Sequence, residues 1–133
     1  MAKITPSLSI VANSNTHATI ADAGLSSDAI SFTISDALTV ANPSAGLSRR
    51  VIADSTSSTL VDATLGAAAG YVYIQFVSSE NATDDINVTI EDANPVQLQV
   101  GEFMFMPTGA ARTIIAASSG GTAVVEFAFW TRG

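Results

Sequence analysis

The rest of this chain can be arranged around the stretch Gly101-Glu-Phe-Met-Phe-Met-Pro107-Thr-Gly109-Ala-Ala-Arg112. An extended segment with two aromatic and two Met side chains enters a turn marked by Pro107 and Gly109. A second apolar strand, residues 113–117, leaves the turn, and we predict that it pairs with the first. The stretch therefore predicts a β-corner with a bulky apolar interior.

The same stretch resembles the second motif of the cupin jelly rolls. In that motif a Gly, five residues, a Pro, one residue, a Gly and two residues precede a metal-binding His. Gly101, Pro107 and Gly109 match the pattern, but Arg112 stands at the ligand position. The resemblance implies a barrel corner without its metal, because such a site needs several imidazole ligands. The single histidine, His17, lies far away in sequence, and we expect no metal and no cofactor.

Alternation of apolar and polar residues extends the β prediction over the rest of the chain. Residues 30–34, 71–76, 86–90, 96–100 and 122–130 alternate, and turn residues separate them. About ten such segments at roughly 8–12-residue spacing, with hardly any helical period, predict an all-β fold. We expect a β-sandwich or jelly roll of about eight to ten short antiparallel strands. One domain should cover residues 1–133, with an extended N-terminal arm over about residues 1–14.

The bulky apolar residues of these segments make up the predicted core. They are Phe32, Ile74, Phe76, Val88, Leu98, Phe103, Phe105 and Phe127. Burying each side chain fully contributes roughly 1.5–3 kcal/mol to stability, so replacement of Phe76 or Phe105 by Ala is expected to cost about 3–5 kcal/mol.

Charge excludes one class of partner. Twelve acidic and five basic residues give a net charge of −7, and the basic residues are scattered along the sequence. No cationic stripe can therefore follow a phosphate backbone, and we expect no nucleic-acid partner. No window approaches the roughly 20 apolar residues of a membrane span, so we expect no membrane partner and assembly in the cytoplasm.

Composition points to partners made of protein. Hydrophobic residues make up 47% of the chain and charged residues 13%, against about 25% charged in a typical soluble domain. Apolar surface in excess of what a small domain can bury usually marks an interaction site. The alternative is that the abundant Ala, Ser and Thr coat a soluble monomer.

Catalysis has no support in the sequence. No Gly-x-Ser-x-Gly or Ser-x-x-Lys motif occurs, and the available carboxylates are generic, so we expect no enzyme. The acidic loop at residues 78–85 lacks the spacing of an EF-hand and is expected to be solvated. Tyr71, Tyr73 and Gln75 share one strand face, which leaves a carbohydrate-binding module as an alternative to simple core packing.

Four segments of the second half carry a further resemblance. They are Gly70-Tyr-Val-Tyr-Ile-Gln75, Ile86-Asn-Val-Thr-Ile90, Gly101-Glu-Phe-Met-Phe-Met-Pro107 and Phe127-Ala-Phe-Trp130. In this order they resemble small all-β structural proteins of tailed bacteriophages. The resemblance implies a virion component on the capsid surface, a decoration (cement) protein bound to the major capsid protein or other virion proteins. A tail or neck component is the neighbouring interpretation.

Six residues are candidate partner contacts: Lys3, Ile4, Arg49, Arg50, Trp130 and Arg132. Arg and Trp often carry interface energy, and the arm around Lys3 can reach a neighbouring subunit by strand addition. Arg49 and Arg50 are adjacent and therefore lie on opposite faces of their strand. We expect a homo-oligomer, with a trimer favoured.

Overall fold

A computed structural model of the chain describes residues 2–11, 31–43, 46–63, 69–109 and 112–132. These residues form β-strands and contain no α-helix, and hence no helix that could cross a membrane. The strands are β1 (Ala2–Ile4), β2 (Ser7–Val11), β3 (Ser31–Ser35), β4 (Leu38–Pro43), β5 (Ser48–Ile52), β6 (Ser57–Val61), β7 (Ala69–Ser78), β8 (Asp85–Ile90), β9 (Val96–Gln99), β10 (Phe103–Pro107), β11 (Ile114–Ser118) and β12 (Ala123–Arg132). The predicted all-β sandwich is confirmed. The described strands number twelve, and β7 and β12 have 10 residues each, so they are more numerous and in part longer than expected.

The chain divides into two compact units, of which the smaller is Lys3–Thr39. In this unit β2 pairs antiparallel with β3, so that Leu8 lies opposite Ile34. The predicted arm is thus largely strand where it is described, at residues 2–11. The side chain of Phe32, a predicted core residue, lies outside the described residues. The expectation of one domain over the whole chain stays a prediction.

The larger unit, Met1–Ala2 with Val40–Gly133, contains two antiparallel sheets. In the larger sheet the strands run in the order β4, β12, β7, β10, and β5 also pairs with β12. The other sheet has the order β6, β11, β8, β9. The two long strands, β7 and β12, pair along most of their length and form the centre of the larger sheet. A strand with bulky side chains on both faces is expected to be central in its sheet or to lie between a core and a partner, and β7 is central in its sheet.

The core lies between the two sheets and follows from the period of two along each strand. Val72, Ile74 and Phe76 of β7 are fully buried, and so are Ile86 of β8 and Ile114 of β11 in the other sheet. These side chains belong to one apolar cluster with contributions from β5, β6, β9 and β12. Five predicted core residues are confirmed as buried, namely Ile74, Phe76, Val88, Leu98 and Phe127.

Two predicted core residues are not in the core. Phe103 is 55% exposed, and Phe105 is half-buried outside the core cluster. The reason is register: β10 pairs with β7 so that Phe103 lies opposite Gln75 and Phe105 opposite Tyr73, and paired residues share one face of a sheet. Met104, between them, packs against the core. In the predicted corner, Met104 therefore contributes to the apolar interior, and Phe103 and Phe105 do not.

The predicted pairing of the two corner strands is also wrong. β10 pairs with β7 in the larger sheet, whereas β11 pairs with β6 and β8 in the other sheet. The quoted stretch is thus the crossing from one layer of the sandwich to the other. At its start Gly101 has φ of 90°, its N–H donates to the Phe76 carbonyl at 2.7 Å, and Phe76 donates to the Glu102 carbonyl at 3.0 Å. Two residues thus oppose one in a β-bulge, and the left-handed φ favours glycine.

Candidate functional site

The side of the larger sheet that faces away from the core carries most of the chain's aromatic side chains. Along β7 the residues Tyr71, Tyr73 and Gln75 are half-buried and alternate with the buried core residues. Pairing in register adds residues of β10, β12 and β5 to the same side. We call this side the outer face; its members are Tyr71, Tyr73, Gln75, Phe103, Phe105, Pro107, Glu126, Ala128, Trp130, Arg49 and Val51.

Three rings of the outer face contact one another and form an aromatic cluster, Tyr71, Phe105 and Trp130. The Tyr71 and Phe105 rings are stacked, with centroids 6.2 Å apart and planes 6° apart. The Trp130 ring is tilted by 52° from that of Phe105 at 6.4 Å. Offset-stacked and tilted pairs are favourable geometries for aromatic side chains, each worth about 0.5–1.5 kcal/mol beyond area burial. The cluster is therefore held in place before any partner binds.

Arg132 extends this cluster with a positive charge. Its guanidinium carbon lies 5.1 Å from the centroid of the Tyr71 ring, within cation–π range. Its Nη2 donates to the Thr108 carbonyl at 3.5 Å. Gly70 leaves room for this path, because a Cβ there would lie 2.2 Å from Cγ of Arg132. The sequence alone does not predict that the side chain of Arg132 passes over Gly70.

Polar groups occupy the other end of the outer face. Arg49 and Glu126 form an ion pair at 3.0 Å, in which the Arg49 side chain is 65% exposed. The Tyr73 hydroxyl donates to Oε1 of Gln75 at 2.9 Å. Burial, and then the negative charge of Glu126, raise the pKa of Tyr73 above its ordinary value. This end therefore offers a neutral hydroxyl, an amide and an ion pair beside the aromatic cluster.

Large apolar side chains are exposed at both margins of the outer face. Phe103 on β10 is 55% exposed and Val51 on β5 is 64% exposed. Leu47, just before β5, is 61% exposed. Of these, Phe103 lies two residues from Phe105 of the aromatic cluster, and exposed apolar patches are typical of an interaction surface.

The six predicted contact residues are not all in one place. Arg49 and Trp130 lie at opposite ends of the outer face, and Arg132 lies beside the aromatic cluster. Lys3 and Ile4 lie in β1. The opposite orientation of the two adjacent arginines is confirmed, since Arg49 pairs with Glu126 and Arg50 lies opposite the buried Val125. A role in partner binding stays a prediction for all six.

Arg50 has contacts within the fold. Its Nη1 donates to Oγ of Ser58 at 2.8 Å and to the Thr59 carbonyl at 3.2 Å. Its guanidinium carbon lies 5.8 Å from the centroid of the Phe127 ring. Since Arg50 is on β5 and its acceptors are on β6, the side chain joins the two sheets. Spacing alone cannot show such a contact, because it depends on which strand ends up across the sandwich.

The acidic loop between β7 and β8 is not simply solvated. Asp84 is 8% exposed, and its Oδ2 accepts hydrogen bonds from Ser79 Oγ at 2.7 Å and from the Asn81 N–H at 3.1 Å. The side-chain hydrogen bond from Ser79, assisted by both Asn81 contacts, holds the pKa of Asp84 below its ordinary value of 3.8. Asn81 also reaches the Gly120 carbonyl in the turn before β12, at 3.5 Å. Through Ser79 and Asn81, which also donate to the Thr122 and Gly120 carbonyls, Asp84 is therefore part of a clamp between two turns.

That the protein has no metal site and no catalytic activity stays a prediction. No group of three or more His, Cys, Asp or Glu residues that could hold a metal occurs in the described part of the chain. His17 lies outside the described residues. Of the outer-face residues, sequence had noted the shared side of Tyr71, Tyr73 and Gln75 but had assigned Phe103 and Phe105 to the core.

Comparisons with known proteins add little to this geometry. No protein-family model matches the chain, and no curated protein matches it. Among solved structures, a mitogen derived from Yersinia pseudotuberculosis is similar to 68% of this chain and to 88% of its own chain. The identity is 10% and the TM-score is 0.43, so the likeness carries no functional argument.

Proposed function

We propose that this chain is a virion structural protein, a capsid decoration (cement) protein that binds and stabilises a bacteriophage head shell. The observation that supports the proposal is the outer face, which presents an ordered aromatic cluster on a sandwich whose core is complete without it. The resemblance of the second half to phage structural proteins favours the major capsid protein as the partner. A tail or neck protein would use the same face on a different virion protein.

The composition of the outer face fits a protein partner. Trp130, Tyr71 and Arg132 are of the residue types that most often carry interface energy, and they lie together. Apolar side chains at the margins, such as Phe103 and Val51, would be covered on docking. Arg49, paired with Glu126 at the polar end, would fix the orientation of the partner by charge complementarity.

Stabilisation of the shell follows from mass action. A protein that binds the assembled shell and not its separated subunits shifts the equilibrium toward assembly, as a ligand stabilises the folded state it binds. No catalytic group is needed for this role. Many copies on equivalent lattice positions would each contribute a small stabilisation.

The test is binding to purified empty shells, measured by co-sedimentation. Phe103→Asp and Val51→Asp place a carboxylate at exposed positions of the outer face and are expected to weaken binding at least tenfold, because the charge would be buried against the partner. The matched control is Val96→Asp, at a position that is 42% exposed on β9 of the other sheet. Equal loss of binding in all three variants, or no loss in any, would remove the outer face from the proposal.

A carbohydrate-binding module is a second candidate. The specific observation in its favour is the hydrogen-bonded pair Tyr73 and Gln75 beside the Phe105 ring, since sugar recognition combines a ring with polar groups. Against it, the Tyr71 ring is already in contact with Phe105 and Arg132. A glycan array that captures the wild-type protein but not Phe105→Ala would favour this candidate over the decoration protein.

A further inference from the structure

The edge of the larger sheet is formed by β10, which has a strand partner on one side only among the described residues. Gly101 and Glu102 exchange backbone hydrogen bonds with Phe76, and Thr108 donates to the Gly70 carbonyl at 2.9 Å. Hydrogen-bonded positions alternate along an antiparallel pair. The N–H and C=O groups of Phe103 and Phe105 therefore point away from β7, to the edge.

Among the described residues, this edge has only part of the usual protection against pairing. Natural edge strands are normally blunted by charged side chains, by proline, by a bulge in mid-strand or by a covering segment. Strand β10 is Phe-Met-Phe-Met-Pro, with no charged residue, and Phe103 is 55% exposed. Pro107 lacks an N–H and so limits pairing at one end. An apolar edge of this kind is suited to strand addition.

We propose that β10 pairs antiparallel with β10 of a second copy of this chain, about a two-fold axis at Phe105. Phe105 of each copy then donates to and accepts from its counterpart. Phe103 of each copy lies opposite Pro107 of the other and donates to its carbonyl, where the missing N–H of Pro107 breaks no bond within either copy. A two-fold axis makes one strand complementary to itself, and two-fold dimers are the commonest symmetric oligomers.

Charge complementarity favours this register. The pairing places Glu102 of one copy opposite Thr108 of the other. The Thr108 carbonyl already accepts a hydrogen bond from Arg132, and both Glu102 and Arg132 are exposed. Opposite charges therefore meet at each end of the paired strands, whereas parallel pairing in register would bring two Glu102 carboxylates together.

The pairing also joins the aromatic surfaces. Phe105 lies opposite Tyr73 on β7, so the two-fold axis creates a continuous row from Tyr73 through both Phe105 rings to the second Tyr73. The exposed Phe103 ring packs beside Pro107 of the second copy. The pairing uses the edge and covers Phe103 and Pro107, while the rest of the outer face stays accessible. The inference does not depend on the proposed function, because it can hold for a protein that binds no shell.

The first test is the mass of the protein over a concentration series by analytical ultracentrifugation. The wild type is expected to form dimers, in place of the trimer that we favoured from the sequence. Phe103→Pro removes the edge N–H in both copies but no bond to β7, and should weaken the dimer on the order of 30-fold. Phe103→Val keeps the N–H and should change the constant by less than about fivefold. A monomer at all concentrations, a trimer, or a dimer indifferent to the proline overturns the proposal.

The second test is cross-linking, which does not depend on how well the proline variant folds. The chain has no cysteine. Directly opposed residues in an antiparallel pair have Cα atoms about 4.5–5.5 Å apart, within disulfide range. Phe105→Cys, on the two-fold axis, should therefore give a disulfide-linked dimer under mild oxidation. Phe103→Cys, more exposed but off the axis, should not; equal cross-linking of both variants overturns the register.

Discussion

Replacement of Phe76 by Ala should be among the most damaging single changes in this protein. The Phe76 side chain is fully buried on β7 and belongs to the cluster between the two sheets. Its transfer from water contributes roughly 1.5–3 kcal/mol, and the cavity left behind raises the expected loss to about 3–5 kcal/mol. Total stabilities are about 5–15 kcal/mol, so the loss is a large fraction of the stability of the fold.

The measurement is urea unfolding followed by circular dichroism and Trp130 fluorescence. Phe103→Ala is the matched control, because it removes the same ring from an exposed site and should cost less than about 1 kcal/mol. Phe105→Ala should fall between them, at about 1–2 kcal/mol, since the ring is half-buried and contacts two other rings. Similar losses for Phe76 and Phe103 would refute the assignment of inner and outer faces.

Two further predictions concern the polar contacts. Ser79 and Asn81 hold the pKa of Asp84 in the folded protein below its value in the unfolded chain. The ionised carboxylate therefore stabilises the fold at any pH above the unfolded pKa. This contribution is lost as the pH falls through the lower, folded pKa. Asp84→Asn should therefore flatten the acid limb of a plot of melting temperature against pH; an unchanged acid limb would contradict the clamp. Arg50→Met loses the contacts with β6 and should lower the free energy of unfolding in urea by about 0.5–1.5 kcal/mol. Arg49→Met breaks an exposed ion pair and should lower it by less than about 0.5 kcal/mol. The reverse order would be evidence against the role of Arg50 in joining the two sheets.

Much of the sandwich could be predicted from alternation. In β7, Val72, Ile74 and Phe76 face inward and the residues between them face outward, as a period of two requires. The same holds for Val125 and Phe127 on β12. When one face of a strand is fully apolar, the pattern indicates which face is buried.

The assignment of β10 failed for the opposite reason. Both sides of Phe-Met-Phe-Met-Pro are apolar, so the pattern could not distinguish the inner side from the outer side. Register with β7 decides the matter by placing Phe105 beside Tyr73. Strand partners of this kind depend on contacts between residues far apart in sequence, and local pattern does not contain them.

The contacts of Arg50 and Asp84 could not be predicted for a related reason. Sequence placed Arg49 and Arg50 on opposite faces but not the acceptors that each would meet. Asp84 was expected in a solvated loop, yet the turn before β12 closes over it. In both cases the partner group comes from a strand or turn whose position is set by the tertiary fold.

Particles assembled with and without this chain test the claim that it decorates and stabilises a phage head shell. Copy number per particle is counted by quantitative mass spectrometry, and both kinds of particle are exposed to heat and to low salt. The decoration protein is expected in many copies, and particles that lack it should release their contents at a lower temperature. Particles of unchanged stability that carry only a handful of copies would contradict the claim.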